Sequence, residues 1–285
     1  MRILHFGDLH VWRMQVEWDD PFYPKRFLGG ANLLLNRRKR FPPDLGRAAL
    51  EQIAREDADL VVFSGDFTTT ALRAEFALAQ ELLAPIQAKW GERFFILPGN
   101  HDRYTPRAIR NRLYEHFFPT GAVDPESHCR VQDLDDTWTV VGQDLSRAFC
   151  FRSNGLFTPE HEKHLEAVLS EQADRGRAVI LTTHYPFSYP DGVARKPEHV
   201  LLNDDRLAAL IERFPPVVYL HGHKHIRWKR NAAGTTCVNC GSVGMKSDDP
   251  IKHAGYALID LDTTGVQSVT GVHLNGDAQP VHTAL

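Results

Sequence analysis

Five places in the chain set carboxylate, imidazole and carboxamide side chains close together. "GDLH" carries Asp8 and His10, "SGDF" carries Asp66, and "PGNHD" carries Asn100, His101 and Asp102. "THYP" carries His184, and "HGHKH" carries His223 and His225. Carboxylate, imidazole and carboxamide oxygen together make a mixed nitrogen and oxygen shell suited to manganese, iron, zinc or a similar divalent ion. Seven or more such groups are too many for one four- to six-coordinate ion. They suit two ions sharing a bridging carboxylate, which in known two-metal sites stand ~3.5–4 Å apart. Such a pair clamps a phosphoryl group, lowers the pKa of a bound water and supplies the nucleophile. Its charge also offsets the negative charge that repels hydroxide from a phosphate ester.

Each place follows a short run rich in β-branched and aromatic residues. "RILHF" (2–6), "LVVFS" (60–64), "FFILP" (94–98), "VILTT" (179–183) and "VVYLH" (217–221) read as buried strands. Helical spacing fills the intervals between the first four. It predicts helices over 44–56 with Asp44 as N-cap, over 71–90 with a kink or break at Pro85, over 105–117 and over 158–176. A further helix is expected from about Asp204 to Phe214. Strand and helix alternate as in a layered α/β domain, where sites form beyond the carboxyl ends of the strands. The two side chains of the Asp-x-His pair are expected to share a direction through the two-residue alternation of a strand. After residue 220, "TTCVNCGSV", "GYALIDLD" and "VQSVTGVHL" follow one another without helices and predict a second sheet, completed by "TWTVVGQD" (137–144). The ligand-bearing strands would form the first sheet, and the last dozen residues a loose tail.

The order Asp-x-His, Gly-Asp, Gly-Asn-His-Asp, His, Gly-His-x-His, spread from residue 7 to 225, resembles the calcineurin-like metallophosphoesterase superfamily. The resemblance implies a four-layer αββα sandwich, two mixed sheets flanked by helices, with residues 1–285 as a single domain. Carried over residue by residue, it implies that Asp8, His10 and His225 hold one metal. Asn100, His184 and His223 would hold the other, with Asp66 bridging. His101 would face the phosphate and stabilise or protonate the leaving oxygen, with Asp102 orienting its ring. Relatives of the protein phosphatases carry Gly-Asp-x-x-Asp-Arg-Gly, whereas this chain has "GDFTTTA", which argues against protein serine/threonine phosphatase activity. Because the family glycine precedes the first ligand, the resemblance implies that His223 and His225 are the ligands of "HGHKH" and that His221 ends the strand.

The function implied is a phosphohydrolase with two divalent metal ions that cleaves a phosphodiester or pyrophosphate through a metal-bridging hydroxide. Manganese is the metal expected first, with iron, zinc or magnesium as alternatives. Cyclic or small nucleotides fit the resemblance to class III cyclic-nucleotide phosphodiesterases, and a UDP-diacylglucosamine-type lipid A precursor fits a second branch. A nuclease of the same superfamily is the third reading. A net charge of -3, from 33 basic and 36 acidic residues, gives no global field to recruit nucleic acid and counts against it. The rival from another class is an interaction scaffold that kept the fold and lost catalysis. Such relatives typically lack the motif histidine or some ligands, and this chain keeps His101 and all seven metal positions.

At 42% hydrophobic and 24% charged, the composition argues against disorder. One stretch departs from it: residues 23–43 hold Lys25, Arg26, Arg37, Arg38, Lys39 and Arg40 and no acid. It reads as plain surface, as a cap over the metal site, or as a peripheral contact with an anionic membrane. Segments of this kind occur in relatives acting on lipid-linked pyrophosphates. The stretch "SYPDGVARKPEHVLLNDD" (188–205), following His184, would add Arg195 and Lys196 to the same rim. Four cysteines (Cys129, Cys150, Cys237 and Cys240) are few for the length and read as buried small hydrophobes in a reducing compartment. Asp8 and His10 interrupt any signal-peptide core, and no apolar run approaches the ~20 residues that span a bilayer. The expected location is cytoplasmic, with the inner membrane face as a peripheral alternative. "NCGS" (239–242) is expected to be a tight turn.

Overall fold

A computed structural model describes residues 1–13, 38–149 and 151–285. Two six-stranded sheets face each other. The first runs β14-β13-β12-β1-β2-β3, with β1 (Arg2–Phe6), β2 (Leu60–Phe63) and β3 (Phe94–Ile96) parallel. Strands β12 (Gly255–Asp262), β13 (Gly265–Leu274) and β14 (Pro280–Ala284) extend it antiparallel from β1, starting with the pair Arg2 and Asp260. The second sheet runs β10-β11-β9-β7-β5-β4, while β6 (Gly155–Leu156) and β8 (Leu201–Leu202) pair with each other as a small separate sheet. The centre of the second sheet is the parallel set β5 (Trp138–Gln143), β7 (Ala178–Thr182), β9 (Val218–His221) and β11 (Thr235–Cys240). β4 (Cys129–Asp133) and β10 (Arg227–Ala232) close its edges antiparallel.

The central strands read as continuous apolar runs because both of their faces are buried. On β1 and β2, Ile3, Leu60 and Val62 point between the sheets, where they meet Val140, Ile180, Val218, Leu220 and Val238. Leu4, Phe6, Val61 and Phe63 point outward onto Ala49, Leu50 and Ile53 of α1 (Pro43–Arg55) and Phe76, Ala79 and Leu83 of α2 (Arg73–Trp90). On the far side, Val179, Leu181 and Tyr219 meet Leu165 and Leu169 of α5 (Pro159–Asp174) and Leu207, Leu210 and Ile211 of α6 (Asp204–Arg213). Helix, sheet, sheet and helix therefore stack as the αββα sandwich that the resemblance implies.

Several local expectations need correction. The ligand-bearing strands do not share one sheet: β1, β2 and β3 lie in the first, while β7 and β9 lie in the second with β5. β12 and β13, expected in the second sheet, pair with the first because β12 runs antiparallel along β1. The expected C-terminal tail is edge strand β14, held through Thr270–Ala284 to Leu274–Pro280. Helix α2 continues through Pro85 without a break. Residues 105–117 form two short helices, α3 (Pro106–Arg110) and α4 (Leu113–Phe117), because Arg112 takes a left-handed conformation at φ 47°. Asp44 falls in the first turn of α1, whose N-cap is Pro42. Of the basic stretch 23–43, residues 23–37 lie outside the described residues; Arg38–Arg40 form one exposed helical turn. Cys129, Cys237 and Cys240 are buried free thiols, as expected, and Cys150 lies outside the described residues.

Candidate metal centre

Asp8 and His10 follow β1, Asp66 follows β2 and Asn100 follows β3, at the carboxyl ends of the first sheet. His184 follows β7, and His223 and His225 follow β9, at the matching ends of the second. The backbone there does not continue the strand alternation. Asp8 (φ 53°), His10 (51°), Asp66 (64°), His223 (71°) and His225 (53°) are all left-handed, a region where aspartate and histidine are enriched but strained. Left-handed turns, not a strand's alternation, swing these side chains inward, which corrects the account of the Asp-x-His pair. Amide bonds hold the turns: Asp8 N donates to Gly65 O (2.9 Å), His10 N to Asp66 O (3.0 Å) and Gly222 N to His184 O (3.1 Å). Gly99 and Gly222 let the loops close. A Cβ would lie 2.2 Å from Asp66 Oδ1 at the first and 2.5 Å from Asp8 Oδ2 at the second. The "NCGS" turn supports the same region, with Gly241 at φ 76° and Ser242 Oγ donating to Asp8 O at 2.6 Å.

The seven donors gather into two overlapping groups. Asp8 Oδ1 lies 3.1 Å from His225 Nε2 and 3.7 Å from His10 Nε2, and the two imidazole nitrogens are 3.0 Å apart. Asn100 Oδ1 lies 2.9 Å from His223 Nδ1 and 3.2 Å from His184 Nε2. Between the groups, Asp66 Oδ2 stands 3.6 Å from His10 Nε2 and 3.3 Å from His184 Nε2. The other oxygen of Asp66 accepts the amide of His101 at 2.7 Å. Donor atoms held ~2.1 Å from one ion at angles of about 90–120° would stand roughly 3.0–3.6 Å from each other, and the separations of 2.9 to 3.7 Å lie at or close to that range.

Backbone carbonyls decide which ring nitrogens face inward. His10 Nδ1 donates to Thr68 O (3.3 Å), His184 Nδ1 to Ser64 O (2.9 Å) and His223 Nε2 to His199 O (3.3 Å). Such outer bonds fix tautomer and ring orientation in metal sites. The inward nitrogens then meet carboxylate and carboxamide oxygens, acceptor against acceptor, and Asp8 Oδ1 is buried with no hydrogen-bond donor among the described residues. Only positive charge resolves that arrangement. Burial disfavours the ionised Asp8 and Asp66, yet the imidazoles outweigh it: His225 and His10 hold Asp8 below the usual carboxylate range, and His184 and His101 do so for Asp66. Burial likewise opposes a proton on His184, but Asp66 and Asp8 lift it to about 9. A divalent cation meets the same demand at several donors at once, so the residues present fit a metal.

His101 lies at the half-buried mouth of the centre, its ring edge-on to His10 (4.7 Å) and stacked on Tyr104 (5.5 Å). Its Nδ1 faces the carbonyl of Thr69 at 2.6 Å. The ring orientation assigned to Asp102 therefore falls to a backbone carbonyl. Asp102 is buried and accepts from the amides of Gly99 (2.9 Å), Asp66 (2.9 Å), Phe67 (3.2 Å) and Thr68 (3.0 Å), and from Thr68 Oγ1 (3.0 Å). It ties the loop bearing Asp66 to the loop bearing Asn100 and is a positioning residue. Burial, then the Asp66 charge, push its carboxyl up to about 7. Sequence reasoning missed Phe41, whose ring packs 4.8 Å from His10 and 5.6 Å from His225. Its position in a basic stretch gave no sign of that contact.

A family model described as calcineurin-like phosphoesterase matches residues 1–227. The chain belongs to that family. Among curated relatives, this calcineurin-like phosphoesterase is 29% identical to the glycerophosphodiester phosphodiesterase GpdQ of Enterobacter lignolyticus, over 60% of this chain and 57% of that one. The match thus spans little more than half the length of that relative. It is 21% identical to a probable cyclic nucleotide phosphodiesterase of Vesicomyosocius okutanii, over 90% of this chain and 94% of that one. A solved dimetal phosphatase from Danio rerio shares the fold, with a TM-score of 0.60 at 15% identity and 94% of each chain covered. Among the described residues, no helix is long and apolar enough to cross a membrane.

Proposed function

We propose that this calcineurin-like phosphoesterase is a metal-dependent phosphodiester hydrolase built for two divalent cations. The observation that carries the reading is Asp66 Oδ2, placed between His10 of one donor group and His184 of the other. Asp8, His10 and His225 would hold one cation, Asn100, His184 and His223 the other, and Asp66 both. When bound, the cations would neutralise phosphoryl charge and acidify water. The chain supplies the rest. Thr68, Ser64 and His199 carbonyls keep three rings aimed inward. The Thr69 carbonyl takes the Nδ1 proton of His101, so Nε2 is the atom that would deliver a proton to the leaving oxygen.

Both curated relatives cited above are named as phosphodiesterases, which favours small phosphodiesters over the lipid-linked pyrophosphate and over nucleic acid. Manganese is the cation to test first. The experiment is metal analysis of the purified chain, followed by stripping and reloading with manganese, iron, zinc or magnesium. Each form is then assayed on bis(p-nitrophenyl) phosphate, a glycerophosphodiester, cyclic AMP, UDP-diacylglucosamine and single-stranded DNA. Two equivalents of metal per chain with metal-dependent diester cleavage are expected. A chain that binds no metal and cleaves none of the panel would be the inactive scaffold.

A further inference from the structure

Strand β5 runs parallel to β7 and β9, so its carboxyl end at Gln143 meets the same rim as the metal ligands, yet none of the seven donors follows it. The segment beyond it holds Asp144 and Arg147. With Arg103, Arg112, Glu115 and His128 they line a cavity of about 230 Å³ that none of the seven metal donors lines. Three guanidinium groups thus share one cavity with two carboxylates. Arg103 is buried and takes up both acids: its Nε donates to Asp144 (2.9 Å), and its Nη1 and Nη2 donate to Glu115 (3.1 and 2.6 Å). Those bonds use three of its five N–H groups. Arg147 is half-buried and held by a carbonyl and an imidazole, with Nη1 donating to Ser146 O (2.7 Å) and Nη2 to His161 Nε2 (2.6 Å). Arg112 is exposed at the left-handed break between α3 and α4. Among the described residues, neither Arg112 nor Arg147 makes an ion pair.

Arginines on an open surface spread their charge into water. These line one concave space, where three positive charges against two negative ones leave one positive charge uncompensated. His128 adds none at neutral pH, because burial and then the charge of Arg147 lower its pKa. Guanidinium forks match the oxygens of a phosphate, in bonds roughly twice as strong as neutral ones. The volume is several times the ~30 Å³ share of a water and below the ~300–1,000 Å³ of pockets for drug-sized ligands, so its guest is small. We propose that this cavity binds a small phosphate anion, either inorganic phosphate or the phosphate of a short monoester, at a site separate from the metal centre. Arg112 and Arg147 supply the charge. Arg103 supplies its remaining N–H groups and is held in place by Glu115 and Asp144. The site stands whether or not the metal centre is catalytic.

The test is calorimetric titration of the full chain after its metals are chelated and the chelator is removed, which takes the metal centre out of the measurement. Inorganic phosphate should still bind, at one equivalent per chain. Glycerol 3-phosphate separates the two sources: tighter binding than inorganic phosphate assigns the cavity to a monoester, weaker binding to the free ion. The variant carrying both R112Q and R147Q should bind phosphate about tenfold or more weakly, having lost two charge-assisted contacts. R112Q alone, at the exposed position, should lose part of the affinity and keeps the test open if the double variant does not fold. No phosphate binding by the metal-free unaltered chain, or undiminished binding in the folded variants, overturns the site. Metal-dependent cleavage of bis(p-nitrophenyl) phosphate is read separately on the reloaded chain. Its absence with phosphate binding intact sinks the hydrolase reading and not the cavity.

Discussion

Replacing Asp102 with asparagine separates two accounts of the centre. The carboxylate takes five hydrogen bonds: three at Oδ2, from Gly99, Asp66 and Phe67, and two at Oδ1, from the Thr68 amide and hydroxyl. Asparagine keeps one acceptor oxygen. Placed on the three-donor side, it leaves an NH2 group facing the Thr68 amide, and the hydroxyl must turn to accept. One charge-assisted bond is lost, the others weaken, and a buried N–H goes unpaired, for roughly 3–5 kcal/mol in total. Relief of the repulsion from Asp66 offsets part of this, leaving a loss of about 2–4 kcal/mol. Urea denaturation of metal-stripped protein measures the loss. Metal analysis of the same variant should show reduced occupancy, because Asp66 and Asn100 are no longer held together. If stability and metal content stay at their original values while turnover falls, Asp102 acts on the His101 ring and the hydrogen-bond argument is wrong.

His101→Ala should leave metal content near normal and slow turnover by ~10²–10⁴, and unchanged turnover would remove His101 from the chemistry. Asp66→Ala should lower occupancy of both cations in metal analysis; loss of only one would show that it does not bridge. Gly99→Ala forces a Cβ to within 2.2 Å of Asp66 Oδ1 and should yield a chain that binds metal poorly, whereas normal metal uptake would mean that the loop has room to shift. Glu75 is buried and accepts the amides of Thr70 (2.8 Å) and Leu72 (3.2 Å), with burial pushing its carboxyl from 4.5 to about 7. The folded state thus binds this proton more tightly than the unfolded one, so stability falls as pH rises from about 4.5 to 7, by on the order of 3 kcal/mol. Urea midpoints across that range should fall less steeply in Glu75→Gln, and an identical slope would assign the pH dependence to other groups.

Much of the layout was legible in the chain because the core strands are buried on both faces and so read as unbroken apolar runs. Their carboxyl ends were marked by a change to aspartate, asparagine and histidine, which is why all seven donors were found before any geometry. Sheet membership was not legible. Nothing in "GYALIDLD" says whether it pairs with β1 or β9; that choice is made by the register of Arg2 with Asp260. The left-handed backbone at five of the candidate ligands was equally hidden, since aspartate and histidine, although enriched in that region, occupy other conformations far more often. Asp102 was assigned by resemblance to a ring, whereas its partners are amides, which every residue possesses and no motif records.

The donors come from both sheets: Asp8, His10, Asp66 and Asn100 from one, His184, His223 and His225 from the other. A bound dication would consequently act as a clasp across the mouth of the sandwich. Its affinity adds to the cohesion of the two halves by mass action, ~2.7 kcal/mol when free cation stands at a hundred times its dissociation constant. Starved of cation, a cell would lose catalysis and, through faster proteolysis of the loosened chain, much of the protein itself.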